Sequence, residues 1–392
     1  MKLKDIFENP ISGEWGKEVG EGEKGSKVIR TTNFTNIGRL DLSSVVERDI
    51  DLIKNENKKL KFGDIIIEKS GGSPTQPVGR VVIFEETNDE VYFCNNFTSI
   101  LRPNKNIVPK FGLYLLKDLY NKKKVLKFQN KTTGIINIKL NDYLNNTEIT
   151  IPNLEVQNRI IEVLNKTQEL IDKRKEQIES LDELVKSKFI EMFGEVDDYV
   201  PLSKYINSLT AGKSLAGETE CVNKVLNTGS ISYDFFDKTQ VKNLPKDYLP
   251  KEEHLVNKGD VLISRMNTAE LVGATAYVWN VNDNTYIPDR LWKANFNDNI
   301  NPIFVWQLLI QNRTKEKIRR IASGTSGSMK NISKTNLLNI EVIYVDICKQ
   351  NQFADFVKQV DKLKFEMEKS LKDLEDNFNS LMQKAFKGEL FN

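Results

Sequence analysis

The chain has 392 residues, 39% hydrophobic and 29% charged, with a formal net charge of +2. That length suits two or three packed domains, and near-neutrality excludes a polycation, so any nucleic-acid footprint must be a local patch. Cys94, Cys221 and Cys348 are odd in number and lack CxxC spacing, which excludes a disulfide framework and a zinc cluster and fits a reducing cytoplasm.

The N-terminal MKLKDIFENPISGEW has no apolar h-region, and no run approaches the ~18 apolar residues of a membrane span. A soluble, cytoplasmic protein with no membrane partner is expected. An early strand is predicted around Val28, followed by a Gly63-Asp64 turn into a buried apolar strand at 65–67 and another strand at 81–84. A helix at 109–119 opens on Pro109, at a position where the missing N–H costs nothing. The turn Lys131-Thr132-Thr133-Gly134 then leads to a last strand at 148–151.

From 153 to 196 the chain changes character. This stretch lacks internal proline or glycine until Gly194 and is rich in Leu, Ile, Glu, Lys and Gln, all helix-compatible residues. Ile160, Leu164, Thr167, Ile171, Arg174, Ile178, Leu181, Val185, Lys188 and Met192 alternate at spacings of four and three, the seam of a coiled coil. Such a helix of about 40 residues would be ~60 Å long and needs a partner for its stripe.

The second half repeats the first. Val225, the Gly259-Asp260 turn, strands at 261–263 and 276–279, a proline-led helix at 302–312, a Gly/Ser/Thr turn at 323–328 and a strand at 341–345 follow in the same order. Matching residues run from Leu3/Leu202 to Phe111/Phe304, and the separation between them drifts one way, as a few loop deletions require. The closing segment 347–392 aligns without a gap on the first long helix, with Gln157-Asn158 on Gln350-Asn351 and Phe193 on Phe386. It supplies the partner. Arg174, Lys188 and Lys364 on the seams either fix register and orientation, or carry their charges to the rim of a thicker bundle.

The duplicated GD-strand signature, the TTG-I-I-N-I turn and the helices beginning QNRIIEVLNK and QNQFADFVKQ together resemble the specificity subunits of type I restriction–modification systems. The likeness covers essentially the whole chain. It implies an α+β fold: two similar α/β target-recognition domains, 1–152 and 197–346, separated by two long helices, 153–196 and 347–392, that form an antiparallel coiled coil with a pseudo-two-fold internal repeat. It also implies that each domain reads one half of a bipartite site on double-stranded DNA. Two methyltransferase subunits would dock on the chain, with two restriction/translocase subunits in complete systems. S-adenosylmethionine, ATP and Mg belong to those partners, and this chain carries no cofactor. A rigid helical pair would serve as a ruler, since half-sites on one face of B-DNA lie ~34–36 Å apart.

Basic residues at strand mouths and hydroxyl-rich turns suit phosphate and base-edge contact. Lys69 and Arg265, just past the buried strands, are the leading candidates; each could equally be a solvated surface cation. Arg30, Arg80, Arg290 and Lys293 are further DNA-binding candidates. Lys131 and Thr133 in one turn, and Ser326 and Lys330 in the other with Arg319 and Arg320 upstream, complete the set; these turns could instead be plain connectors. Trp292 reads as core.

No catalytic constellation emerges. Ala211-Gly212-Lys213-Ser214 looks like the end of a P-loop, but Asn207 stands where the motif needs glycine and no apolar strand precedes it. Asp64 and Glu68 do not form an acidic-x-Lys nuclease set, and Ser264 replaces Glu68 in the repeat. His254, alone in a Lys/Glu-rich loop, reads as solvated. The chain is expected not to be an enzyme. A bipartite DNA-binding regulator without a methyltransferase partner and a pure coiled-coil scaffold are the rival readings.

Overall fold

The computed structural model describes residues 1–73, 76–132, 135–324 and 329–391, with residues 131 and 132 described by their backbone alone. The described residues include the helices α1 (Pro109–Asn121), α2 (Leu140–Asn146), α3 (Leu154–Phe193), α4 (Pro302–Ile310), α5 (Asn312–Arg320), α6 (Lys334–Leu338) and α7 (Ile347–Lys387). The chain divides into two compact units, Met1–Lys175 with Ser370–Asn392, and Glu176–Lys369. The boundaries between the units fall within the residue ranges of α3 and α7.

Each unit has the same antiparallel sheet. In the first, the spatial order is Ile11–Ser12, Thr98–Leu101, Ile65–Glu68, Val81–Ile83; in the second it is Ile206–Ala211, Leu291–Phe296, Val261–Ser264, Thr275–Tyr277. The first three residues of the strands Ile65–Glu68 and Val261–Ser264 are all apolar because both faces are covered. Ile65 and Ile67 join a core with Phe111, Leu115 and Leu164, while Ile66 joins a second core with Ile29, Val82 and Tyr92. Val261 and Ile263 divide from Leu262 in the same way.

The Gly-Asp signature is a turn that sets this strand. Gly63 and Gly259 take φ of 89° and 98°, where a side chain is disfavoured. The Asp64 carboxylate accepts the Lys61 N–H at 2.8 Å and Asp260 accepts the Asn257 N–H at 2.8 Å. A cation from the neighbouring strand region meets each carboxylate. Arg102 reaches Asp64 at 2.8 and 2.9 Å, and Lys293 lies 3.7 Å from Asp260. Both cations also donate to the loop before the turn, at the Lys59 and Leu255 carbonyls.

The repeated Gln-Asn pair anchors the helices. Gln157 is fully buried; its Oε1 accepts the Val108 N–H ahead of α1, and its Nε2 donates to the Asn106 and Pro152 carbonyls. Gln350 repeats this against the Asn301 N–H and the Val345 carbonyl. Within each unit α3 and α7 run antiparallel. In the first, Arg159 meets Phe391 and Lys175 pairs with Glu375 at 3.0 Å; in the second, Lys364 pairs with Asp182 and Phe353 packs on Phe189.

The structure refines several expectations. Beyond Leu181 the buried stripe continues through Val185, Phe189 and Phe193, so the seam takes Phe189 where the heptad spacing puts Lys188. Lys188 instead pairs with Glu191 at 2.7 Å. The helix expected at 302–312 breaks at Gln311, whose ψ of 139° is extended, and resumes as α5. The strand expected at 148–151 reduces to a single bridge between Glu148 and Lys2. His254 is buried at 6% exposure, not solvated: Leu255 bridges to Tyr286, and the His254 carbonyl accepts the Ile287 N–H. Burial lowers its pKa, with Glu253 opposing.

Gly212 ends the likeness to a P-loop. It follows the strand Ile206–Ala211, and a Cβ there would lie 1.8 Å from the Ile287 carbonyl oxygen; at Gly13 it would lie 2.1 Å from that of Asn95. Both glycines serve a close backbone approach. Gly212→Ala and Gly13→Ala should each destabilise the protein by roughly 1–3 kcal/mol through overpacking. Urea denaturation checks this, and unchanged midpoints would remove the steric account.

Asp361 on α7 is pushed up to about 6, chiefly by burial, with Lys364 opposing and Glu368 and Asp182 reinforcing. Its folded pKa lies above the ordinary Asp value of about 3.9, so the folded state holds the proton more tightly. Stability therefore falls as pH rises from about 4 to 6. Asp361→Asn should recover on the order of 1 kcal/mol at pH 7.5, allowing for solvent screening, and little at pH 4. Thermal melts at the two pH values test it; an equal shift at both, or a loss at pH 7.5, would contradict the sign.

Candidate nucleic-acid interface

The central strand of each unit ends in a cation, Lys69 after Ile65–Glu68 and Arg265 after Val261–Ser264. Their backbones make matching bonds. The Lys69 N–H donates to the Phe97 carbonyl at 2.9 Å, and the Lys69 carbonyl accepts the Ile138 N–H at 2.9 Å. The Arg265 N–H donates to the Arg290 carbonyl at 3.0 Å, and the Arg265 carbonyl accepts the Ile332 N–H at 3.0 Å. From there the chain enters a second short strand. Ser70–Gly72 pairs with Ile135–Ile138, which forms a hairpin with Gln129–Thr132, and Met266–Asn267 pairs with Lys330–Asn331. The strand end and the polar turn, separate in sequence, therefore lie side by side in each unit. Lys131 pairs with Ile136 in the hairpin ladder. Thr133 and Ser326 lie outside the described residues.

The candidate cations divide by what already holds them. Arg80 is bidentate on Glu68 at 2.9 and 3.0 Å, and that carboxylate raises its pKa against desolvation. Lys293 points inward, donating to the Leu255 carbonyl at 2.8 Å with its side chain 11% exposed. Arg319 donates to the Glu270 carbonyl and Lys330 to the Gly324 carbonyl. Arg320 is 3.9 Å from Glu316 with its side chain 80% exposed, so that surface pair holds it weakly. Arg30 donates through Nη2 to the Ser44 carbonyl at 3.2 Å, while its buried Nε has no partner. Lys69 donates to the Ser12 hydroxyl at 2.6 Å, and burial lowers its pKa.

Arg265 and Arg290 differ from the rest. Arg290 is exposed. Neither side chain has a hydrogen-bond or ion-pair partner among the described residues. The Arg265 guanidinium lies 5.6 Å from the centroid of Trp292, whose ring is 1% exposed and belongs to the core. The Arg265 Nε is buried and unpartnered, as are Ser264 Oγ, Trp292 Nε1 and Asn331 Oδ1 around it. Each unsatisfied buried group costs about 1–3 kcal/mol. This edge of the second unit is polar.

The two carboxylates weighed as a nuclease pair are both held by arginines. Asp64 is taken by Arg102 and Glu68 by Arg80. Among the described residues no group of three His, Cys, Asp or Glu is placed to hold a metal ion.

Three aromatic residues escaped the sequence reading. Phe97, 46% exposed, supplies the carbonyl that holds Lys69. Tyr233 and Phe235 are 73% and 57% exposed and stack at 6.4 Å. Between them Asp234, at a φ of 65°, pairs with Lys315 and accepts the Thr275 N–H at 3.0 Å. Hydrophobicity assigns such residues to a core. The one available signal is the Asp set between two aromatics, which marks a turn.

A profile of the family described as "Type I restriction modification DNA specificity domain" matches residues 1–180 and 214–375. The specificity subunit of the type I restriction enzyme EcoEI from Escherichia coli is 26% identical over 145 residues, 36% of this chain and 24% of that protein. That of HindI from Haemophilus influenzae is 27% identical over 137 residues, 35% of this chain and 29% of the relative. These alignments thus take in about a quarter of each relative's length. The crystal structure of a type I restriction–modification S subunit from M. genitalium matches with a TM-score of 0.54 at 18% identity, covering 98% of this chain and 95% of that one. A chain from a structural study of type I R-M complex assembly matches at 0.58 and 15% identity, covering 100% and 97%. The fold is shared with both.

The division among cations can be measured as stability. Arg80→Ala strands Glu68, 3% exposed, and should cost roughly 3–5 kcal/mol. Arg290→Ala removes no partner and should stay within about 0.5 kcal/mol of the parent. Chemical denaturation of the two variants compares them; equal effects would reject the division.

Proposed function

The chain belongs to the family of type I restriction–modification DNA specificity domains, and from that premise we propose that it is the DNA-recognition subunit of a type I restriction–modification complex. Residues 1–152 read one half of a bipartite duplex site and residues 197–346 the other. Segments 153–196 and 347–392 carry two docked methyltransferase subunits and hold the half-sites at a fixed gap. The chain performs no chemistry itself. S-adenosylmethionine, and ATP with Mg for two restriction/translocase subunits, are used by the partners, in the cytoplasm. Affinity comes from cations on phosphate, and specificity from side chains at the strand-end edges, while the methyltransferase extrudes an adenine in each half.

The observation that carries this reading is the duplicated edge. The same strand end, flanked by the same paired polar segment and ending in a cation, occurs once in each unit. Two similar edges suit two half-sites. Lys69, Arg265, Arg30, Arg290, Arg319, Arg320, Lys330, Lys131, Thr133 and Ser326 are the proposed contact set, with Arg80 and Lys293 shaping the edge from behind.

The test is co-expression of the full chain with its methyltransferase and genome-wide mapping of methylated adenines. The expected result is a bipartite motif whose two adenines lie about one helical turn apart, ~34–36 Å. Lys69→Ala should disturb one half of the motif and Arg265→Ala the other. Absent or sequence-independent methylation would reject the reading. Duplex binding with no co-purifying methyltransferase would point to a regulator, and the lack of any salt-sensitive DNA binding to a scaffold.

A further inference from the structure

Two backbone sites are equivalent in the two units but carry different side chains. In the first unit the strand-end residue and the residue whose carbonyl holds it are Lys69 and Phe97; in the second they are Arg265 and Arg290. We propose that the second unit reads a guanine through Arg265 and Arg290, and that the first unit has no guanine reader at this position. The proposal rests on the DNA-recognition reading above and assigns different chemistry to its two halves.

Guanine presents two acceptors, O6 and N7, on the major-groove edge, and they match the planar fork of an arginine. Bidentate recognition needs the plane of the fork fixed beforehand. Trp292 favours that: it is buried, and the Arg265 guanidinium lies 5.6 Å from its ring centroid, within cation–π range. With Nε buried, the two Nη nitrogens form the accessible edge. A phosphate contact would need neither the fixed plane nor the desolvated Nε. Arg290, exposed and bonded through its backbone to Arg265, brings a second unengaged fork to the same edge. In the first unit Lys69 is a point charge already donating to Ser12, and Phe97 offers only apolar contact. Neither can make a bidentate bond.

The experiment uses the full chain, alone and with its methyltransferase, and the variants Arg265→Lys, Arg290→Lys and Lys69→Arg. Charge is kept in all three, so phosphate attraction is preserved while the fork is removed or added. Duplexes carrying the mapped site are also made with each guanine replaced singly by 7-deazaguanine, which lacks the N7 acceptor. One guanine, in one half-site only, should be sensitive to the replacement. Arg265→Lys or Arg290→Lys should relax that position by roughly 10- to 100-fold in discrimination, leave the other half unchanged, and remove the sensitivity. Lys69→Arg should leave the second unit's half unchanged.

Circular dichroism verifies that Arg265→Lys is folded, and Arg290→Lys, at an exposed site, provides a second reading. Folded variants that keep the parental motif would overturn the proposal. So would uniform weakening on every sequence, or relaxation in the half assigned to the first unit. A bipartite wild-type motif without a sensitive guanine defeats this inference alone, whereas no bipartite motif defeats the recognition reading with it.

Discussion

Each unit depends on one carboxylate at the start of its central strand, buried at Asp64 and half-buried at Asp260. Asp64 and Asp260 follow a glycine with positive φ, accept the N–H of the residue three positions earlier, and meet a cation from the adjoining strand region. That arrangement starts the central strand at a fixed place and pins the neighbouring strand to it. Asp64 is 1% exposed and tightly bonded to Arg102, whereas Asp260 has the looser lysine contact and a pKa raised by burial. A carboxylate so placed is costly without its partners and strongly specifying with them. Two cores in each unit are layered on the strand it starts.

From that fixed start the strand's far end follows. Four buried residues deliver Lys69 or Arg265 to the edge, where a bond from the hairpin or short strand partner holds the backbone. The main chain is held in the same way whichever side chain it carries. This suits a reader whose sequence preference can change without disturbing the fold: Lys69 and Arg265 occupy matching frames with different chemistry. The long helices are tied to each unit by Gln157 and Gln350, whose amides meet backbone groups ahead of α1 and α4.

Cations near that edge serve two ends that composition does not separate. Arg80 and Lys293 compensate buried carboxylates or carbonyls, so their charge is largely consumed inside the fold. Arg265 and Arg290 have no such engagement among the described residues. Electrostatic attraction to a polyanion is available to the second kind and largely screened for the first.

Much of the architecture was legible in the chain itself. The duplicated order of elements, the two long helices and the apolar central strands follow from periodicity, because burial of one stripe or of both faces must be written in every residue that takes part. Tertiary structure alone decided the rest. The seam's passage to Phe189 and the burial of His254 next to the bridge between Leu255 and Tyr286 depend on neighbours distant in sequence. So does the division of the cations: Arg80 and Arg265 look alike in the chain, and only the placement of Glu68 beside one and Trp292 beneath the other sets them apart. A hydrophobic pattern is a sum over many residues and survives being read along the chain, whereas a charge's role is fixed by the one partner that folding brings within about 3 Å.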